Sequence, residues 1–157
     1  MQDGAPPSDA DLRTRLIAAG SLLGEREATH RSAVEEAQKR CEALRAQVAD
    51  AVEAFHAAAA SAGAPHLRIE LTPVRLDDKH VRAIAFDVRR GRHVGVVTVK
   101  SRGEVTLVGP FRSGKTEGPC RTFPWDARED IDQSLGDFLL RFLEEAAEAV
   151  SVLSRLL

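Results

Sequence analysis

The chain has 157 residues, which is enough for one domain of ordinary size with an extended helix and too few for a multidomain enzyme. Apolar residues make up 43% and charged residues 29%, which excludes a disordered or fibrous chain, and an aromatic content of 4% argues against a base-stacking platform or a carbohydrate cleft. The net charge of −2 conceals a basic centre at residues 67–125, which fits either an anion-binding surface or a sheet with an arginine-rich solvent face.

The expected compartment is the cytoplasm. No stretch approaches 18 consecutive apolar residues, and residues 1–13 are polar, acidic and proline-bearing, without the apolar segment of a signal peptide. We therefore expect no membrane contact. Cys41 and Cys120 are far apart in the sequence and form no Cys-x-x-Cys pair, so neither a disulfide framework nor a zinc site is predicted.

The N-terminal part of the chain predicts helix. Residues 1–8 are expected to be disordered, and a helical region follows over 9–62. Ser8, with an acidic residue three positions later, resembles the start of a capping box, and apolar residues then recur at helical spacing. Gly20 and Gly24 disfavour helix. The region is therefore either one bent helix or a helical hairpin.

From residue 34 onward, apolar residues are spaced alternately three and four positions apart. This 3.5-residue period over 34–62 is the pattern of a coiled coil, in which one stripe faces a partner helix. The sequence therefore predicts a homodimer. The expected oligomer interface is formed by Val34, Ala37, Cys41, Leu44, Val48, Ala51 and Phe55. Since alanines at several of these positions bury little area, tertiary contacts are an alternative way to complete the stripe.

Residues 66–157 predict a small α+β domain. From residue 67 the apolar period changes from helical spacing to two, which indicates strands. Four strands are predicted, at 67–76, 80–89, 93–100 and 104–109. Connections this short exclude crossover helices, so the strands form an antiparallel meander. The remainder is predicted as a loop over 110–125 and a helix over 127–154 that packs on the sheet.

The sharpest motif is the run G-P-F-R-S-G-K-T at residues 109–116, which matches a phosphate-binding loop. Such a loop needs a helix beginning at its Lys-Thr pair and a parallel sheet behind it. Gly118 and Pro119 forbid that helix, and the sheet is predicted to be antiparallel. A simpler anion or partner contact, or a solvated loop, is therefore favoured. The candidate anion- or partner-binding residues are Arg112, Ser113, Lys115, Thr116 and Arg121.

The remaining polar residues do not predict catalysis. The five histidines, at positions 30, 56, 66, 80 and 93, lack the spacing of metal ligands. Cys41 falls on a heptad position, where it is expected to pack in a core. No arrangement of nucleophile and base can be argued from spacing. We therefore expect neither an enzyme nor a metal or cofactor site.

These features favour a non-enzymatic assembly or adaptor protein. We expect it to self-associate through the N-terminal helix and to bind a protein partner through the sheet and residues 110–125. One alternative is nucleic-acid binding through Arg89, Arg90, Arg92 and Arg102, which would weaken steeply with salt. A second alternative is nucleotide or anion binding at residues 109–116.

Overall fold

The computed structural model describes residues 8–77, 82–114, 118–147 and 156. The fold is α+β: a long N-terminal helix, an antiparallel sheet and a C-terminal helix follow one another along the chain. The helices are α1 (Asp9–Ser61) and α2 (Arg128–Ala146). The strands are β1 (Glu70–Leu71), β2 (Arg75–Leu76), β3 (Ala83–Arg90), β4 (His93–Lys100), β5 (Glu104–Arg112) and β6 (Cys120–Pro124). Residues 1–7 and 148–155, in the predicted disordered terminus and the predicted last helix, lie outside the described residues.

Helix α1 is a single helix of 53 residues, about 80 Å long at 1.5 Å per residue. It begins at a cap in which the Ser8 hydroxyl accepts a hydrogen bond from the Asp11 amide at 3.2 Å. It continues through Gly20 and Gly24, so the alternative of a helical hairpin is wrong. The helix ends before Gly63, whose φ of 96° reverses the chain as glycine readily allows.

Within the part of the chain that the structure describes, the sheet contains six strands, two more than predicted. The expected first strand, 67–76, is divided into β1 and β2, which both pair with β3. Pro73 lies between them and cannot donate a ladder hydrogen bond, which explains the division. The main path of the antiparallel sheet runs β1-β3-β4-β5-β6.

Strand β5 continues to Arg112, beyond the predicted end of the last strand. Gly109 and Pro110 were expected to begin the loop because these residue types commonly end strands. The strand passes through them instead, and its pairing with β4 changes register between Val94 and Val96. An extra residue on β5, a β-bulge, therefore accommodates the pair within the strand.

Strand β6 lies inside residues 110–125, so the prediction of one uninterrupted loop there is wrong. It pairs antiparallel with β5 along its whole length. Four of its five residues are exposed, since β6 is an edge strand. Its sequence therefore lacks the alternation of apolar and polar residues that marks a half-buried strand.

Both helices pack on the same face of the sheet and enclose the core. Helix α1 contacts β3 and β4, whereas α2 contacts β4 and β5. Alternate strand residues supply the inner layer, because successive side chains of a strand point to opposite faces. The largest fully buried side chains include Phe86, Val97 and Val105 from the sheet, Leu44 and Val48 from α1, and Ile131 and Phe142 from α2.

The heptad residues of α1 are occupied by the protein's own sheet, and a coiled coil is not observed. Ala37, Cys41, Leu44 and Val48 are at most 2% exposed and belong to the intramolecular core. In the single chain these four side chains pack against the sheet, where the sequence predicted a second helix. Val34 and Phe55 pack partly buried against this core, whereas Ala51 is exposed. The buried stripe continues through Val52 and His56, following the ordinary period of 3.6 residues.

The N-terminal part of α1 extends beyond this core. We call residues 9–31 the projecting segment; residues 9–29 are all exposed, and residue 30 is half-buried. Five large apolar side chains in it are more than half exposed: Leu12, Leu16, Ile17, Leu22 and Leu23.

Helix α2 packs closely against the sheet at Gly95. We therefore expect Gly95→Ala to lower the free energy of unfolding by about 1–2 kcal/mol. A Cβ at this position would lie 2.5 Å from Cζ of the buried Phe138 ring, so the ring would have to move. Denaturant unfolding measures the change. The matched control is Gly136→Ala on the exposed side of α2, where a Cβ meets nothing within 4 Å and helix propensity should increase stability. Equal effects of the two variants would contradict the packing argument.

Candidate functional site

The face of the sheet opposite the helices forms a cleft of about 650 Å³. We call it the open-face cleft. Its lining comes from β2, β3, β4, β5 and β6 and includes Arg75, Asp87, Arg89, Thr98, Val108 and Phe111. The same alternation that turns Phe86 and Val88 of β3 toward the helices turns Asp87 and Arg89 toward this cleft.

A buried carboxylate holds two arginines at one end of the cleft. The Asp87 side chain is only 3% exposed. Its Oδ1 accepts a hydrogen bond from Nη2 of Arg75 at 2.7 Å. Its Oδ2 accepts from Nε and Nη2 of Arg89, at 3.1 Å and 2.7 Å. Charge-assisted hydrogen bonds of this kind are short and directional, so the carboxylate fixes where both guanidinium groups lie.

Thr72 connects this charged group to the backbone. Its hydroxyl accepts from the Asp87 amide at 2.8 Å and from Nη1 of Arg75 at 3.4 Å. Its own amide donates to the carbonyl of Asp87 at 3.0 Å. The segment between β1 and β2 is thereby attached to the middle of β3, which keeps Arg75 next to the carboxylate.

The guanidinium groups remain accessible although they are held. The side chains of Arg75 and Arg89 are 40% and 50% exposed. Each guanidinium has five N–H donors, and the hydrogen bonds to Asp87 and Thr72 use only some of them. The end of the cleft can therefore receive a carboxylate or phosphate without any rearrangement of Asp87.

Apart from Asp77 and Lys100, whose Nζ lies 3.7 Å from Oε2 of Glu104, the rest of the lining is neutral. Thr98, Thr106 and Thr122 follow one another across β4, β5 and β6, and the hydroxyls of Thr106 and Thr122 are 3.1 Å apart. Apolar side chains line the remainder. Val94 and Val96 of β4 lie beside Arg89 and Asp87, and Val108 and Phe111 of β5 lie one strand farther across the sheet. A ligand that fits this arrangement carries an anionic group at one end and an apolar group at the other.

The predicted anion-binding residues do not form one site among the described residues. Ser113 lines the open-face cleft, whereas Arg121 lines a second, smaller cavity of about 300 Å³ beside α2. Arg121 also lies over the ring of Phe123, with Cζ at 5.3 Å from its centroid. Arg112 is exposed at the end of β5, and Lys115 and Thr116 lie outside the described residues.

The phosphate-loop match occurs in a different structural context from the motif it resembles. Residues 109–112 belong to β5, and the next described element after the motif is β6, not a helix. The Gly109 amide donates to the carbonyl of Pro119 at 2.7 Å, and the Ser113 amide donates to that of Arg92 at 2.6 Å. Two amides that would face a phosphate in such a loop are therefore used within the sheet.

The arginines considered for nucleic-acid binding are spread over the fold. Arg89 is held by Asp87, and Arg90 donates to the backbone carbonyls of His66 and Arg68 at 3.2 Å and 3.0 Å. Arg102 donates to Glu104 at 3.1 Å, in the turn at the far end of β4 from Arg90. These contacts tie three of the four arginines to the protein itself.

Sequence reasoning missed the Arg75, Asp87 and Arg89 group, although one signal for it existed. Asp87 is the single acidic residue in the otherwise apolar run from Ala83 to Val88. A charged residue inside such a strand is normally paired, since burying a lone charge is costly. Arg89 lies two positions after Asp87, so its side chain points to the same face of the strand and is a natural partner for the carboxylate. The contribution of Arg75 depends on the pairing of β2 with β3, which local spacing does not predict.

Cys41 is expected to be unreactive in the folded protein. Burial raises the pKa of its thiol from 9.0 to about 12, and the charge of Glu42 acts in the same direction. At about pH 8 a thiol reagent should therefore modify only the exposed Cys120 until the protein unfolds. The pKa of Cys41 is higher in the folded protein than in the unfolded chain. The buried, protonated thiol therefore contributes to stability below pH 9.0, and this contribution is lost as the pH rises toward 12. Rapid reaction of two thiols in native buffer would contradict the prediction.

Comparison of the chain with protein-family models, with curated proteins and with solved structures found no match. Within residues 8–77, 82–114 and 118–147, no helix is long and apolar enough to cross a membrane. The same ranges contain no group of three or more His, Cys, Asp or Glu side chains placed to hold a metal ion.

Proposed function

We propose that this chain is a non-enzymatic assembly protein that binds an acidic segment of a protein partner in the open-face cleft and self-associates through the projecting segment. The observation that carries the proposal is the pair of half-exposed guanidinium groups held on buried Asp87. Both oxygens of this carboxylate are occupied, so Asp87 positions the arginines and does not itself meet the ligand. Such a group favours recognition of an anion over chemistry on a substrate.

The strand register suggests what the partner segment carries. Asp87 lies opposite Val96 of β4, which in turn lies opposite Val108 of β5. Two strand spacings separate Asp87 from Val108, about 10 Å. A peptide in the polyproline II conformation advances about 3.1 Å per residue and repeats every three residues, so an acidic residue and an apolar residue three positions apart lie on the same side and span about 9 Å. The partner chemistry is therefore an Asp or Glu followed or preceded, at that distance, by an aliphatic or aromatic residue.

A protein partner is favoured over nucleic acid. The arginine group has a local charge of only +1, because Asp87 offsets one of the two arginines, and Arg90 and Arg102 bond within the fold. A polyanion needs a continuous row of cations. One carboxylate beside an apolar group matches the cleft better.

Peptide binding tests this proposal. The probe is an unlabelled eight-residue peptide with blocked termini, with Asp and Leu three positions apart and no other charge, and its binding is measured by titration calorimetry. Its control replaces Asp by Asn. We expect Arg75→Gln with Arg89→Gln to weaken binding of the Asp peptide by about tenfold or more, which is 1.4 kcal/mol. The same two substitutions should leave the affinity for the Asn peptide unchanged.

A matched protein control uses arginines away from the cleft. Arg68→Gln with Arg102→Gln removes the same charge from exposed positions and should leave the affinity for the Asp peptide within about twofold. Equal affinities for the Asp and Asn peptides in the unmodified protein would overturn the proposal. Equal losses in the two double variants would do the same, because a general charge effect would then explain the binding.

A further inference from the structure

We propose that two copies of this chain pair through their projecting segments as antiparallel helices with the two Gly20 residues side by side. This inference rests on the self-association in the proposed function and gives it a geometry. The exposed face of this helix is thus covered by the same face of a second copy of the chain. Four observations support it.

The first observation is an exposed apolar stripe. At 100° per residue, Leu12, Leu16, Ala19 and Leu23 fall within an arc of about 60° on the helix surface. The same arc contains Ala37, Cys41 and Val48, which are buried against the sheet farther along the helix, and buried Leu44 lies about 20° outside it. One stripe therefore runs along the helix. Its C-terminal part is covered by the protein's own sheet, whereas Leu12, Leu16 and Leu23 are 52–63% exposed.

The second observation is that the segment is a poor helix by itself. Gly20 and Gly24 lie in its interior, where glycine is disfavoured relative to other residues except proline. Helices in proteins gain most of their stability by packing an apolar face. A helix that passes through two glycines with its leucines exposed is expected to be completed by a partner.

The third observation is the order of charges about Gly20. Asp9 and Arg31 are each eleven residues from Gly20, Arg13 and Glu27 are each seven, and Arg15 and Glu25 are each five. In an antiparallel pair centred on Gly20, every one of these residues lies opposite a residue of the other sign. The members of the two outer pairs lie on the same side of the apolar stripe, about 50–90° from its centre, as an antiparallel pair requires. Glu25 lies on the far face of the helix, and Asp11 and Arg26 are level with Thr29 and Thr14. A parallel pair in register would place identical charges at the same level.

The fourth observation is that this centre is also the midpoint of the segment. Pairing about residue 20 uses residues 9–31 of both copies, and the first half-buried positions, 30 and 33, lie at the end of the overlap and just beyond it. The two sheets would then lie at opposite ends of a helical pair about 35 Å long, at 1.5 Å per residue. At the centre, a Cβ added to Gly20 would meet nothing within 4 Å in the single chain, so the space for a second helix is open.

Charge reversal on the full chain tests the pairing by light scattering after gel filtration. The unmodified protein is expected at about 34 kDa, twice its 17.0 kDa chain mass. Arg13→Glu with Arg15→Glu makes the facing charges alike, and so does Glu25→Arg with Glu27→Arg, so each variant alone should have a mass near 17.0 kDa. An equimolar mixture of the two variants should return to about 34 kDa, because each then faces the opposite sign. The control Asp50→Arg, an exposed position of α1 outside the segment, should not change the mass.

Orientation is tested by disulfide formation in a Cys120→Ser background, where the remaining Cys41 is buried. Arg13→Cys and Glu27→Cys chains should cross-link to each other when mixed and oxidised. Arg13→Cys alone should not cross-link, because its two copies lie about 21 Å apart along an antiparallel pair. Cross-linking of Arg13→Cys to itself would indicate a parallel pair and overturn the inference.

The other outcomes separate this inference from the proposed function. A mass that stays at 34 kDa in both charge-reversed variants would overturn the antiparallel register while leaving self-association intact. A monomer at every concentration tested would overturn both the pairing and self-association. Binding of the Asp peptide, measured on the same samples, reports on the open-face cleft alone, so its loss or retention does not depend on the helix. Circular dichroism of each variant, and recovery in the mixture, distinguish lost pairing from lost folding.

Discussion

Leu44→Ala is expected to lower the free energy of unfolding by about 2–5 kcal/mol at every protein concentration. Leu44 is fully buried between α1 and the sheet, so the substitution removes apolar contacts and leaves a cavity. Because the packing partner belongs to the same chain, diluting the protein should not change the loss. Denaturant unfolding at several concentrations measures it.

Leu16→Ala is the matched control, since it makes the same change on the same stripe of the same helix. Leu16 is 63% exposed in the single chain, so the cost for the monomer should be less than about 0.5 kcal/mol. Any larger effect of Leu16→Ala should depend on protein concentration, because it would come from pairing of the projecting segments. A loss for Leu44→Ala that disappeared on dilution would instead place Leu44 at an interface between chains.

Asp87→Ala is expected to lower the free energy of unfolding by about 3 kcal/mol and to abolish binding of the Asp peptide. The substitution removes three hydrogen bonds to charged groups and leaves two guanidinium groups beside each other without their common carboxylate. The loss is expected at the lower end for a broken buried ion pair, because Arg75 and Arg89 are 40% and 50% exposed and can turn to water.

The triple substitution Asp87→Ala, Arg75→Gln and Arg89→Gln provides the control for this effect. If the cost comes from uncompensated positive charge, removing both arginines as well should restore part of the stability without restoring peptide binding. Asp87→Asn keeps the shape of the side chain but loses its charge. Its free energy of unfolding should lie between those of the unmodified protein and Asp87→Ala. A stability unchanged by Asp87→Ala would show that the carboxylate does not organise the arginines.

Much of the fold follows from periodicity in the sequence. The helical spacing of α1 and α2 reflects one buried face of each helix, whereas β3, β4 and β5 are short apolar runs that are buried along most of their length. The α+β class, with an antiparallel sheet, was therefore predictable. Strand β6 was not, because an edge strand with four exposed residues out of five has no buried face to leave such a pattern.

The role of the heptad pattern could not be predicted from spacing alone. A stripe of small apolar residues can face another helix or the protein's own sheet, and the two differ only in what covers it. The sheet covers Ala37 to Val48 here, so this part of the stripe belongs to the protein's own core. The Arg75, Asp87 and Arg89 group was missed for a similar reason, because it depends on contacts across strands.

The fluorescence of the single tryptophan reports whether α1 is packed against the sheet. Trp125 lies between Arg40 of α1 and Arg128 of α2, whose guanidinium carbons are 5.1 Å and 4.5 Å from the ring centroid. Its fluorescence should therefore respond when α1 leaves the sheet, whereas far-ultraviolet circular dichroism also records the projecting segment. Following both signals during thermal unfolding would reveal whether the two parts of one continuous helix melt together or in succession.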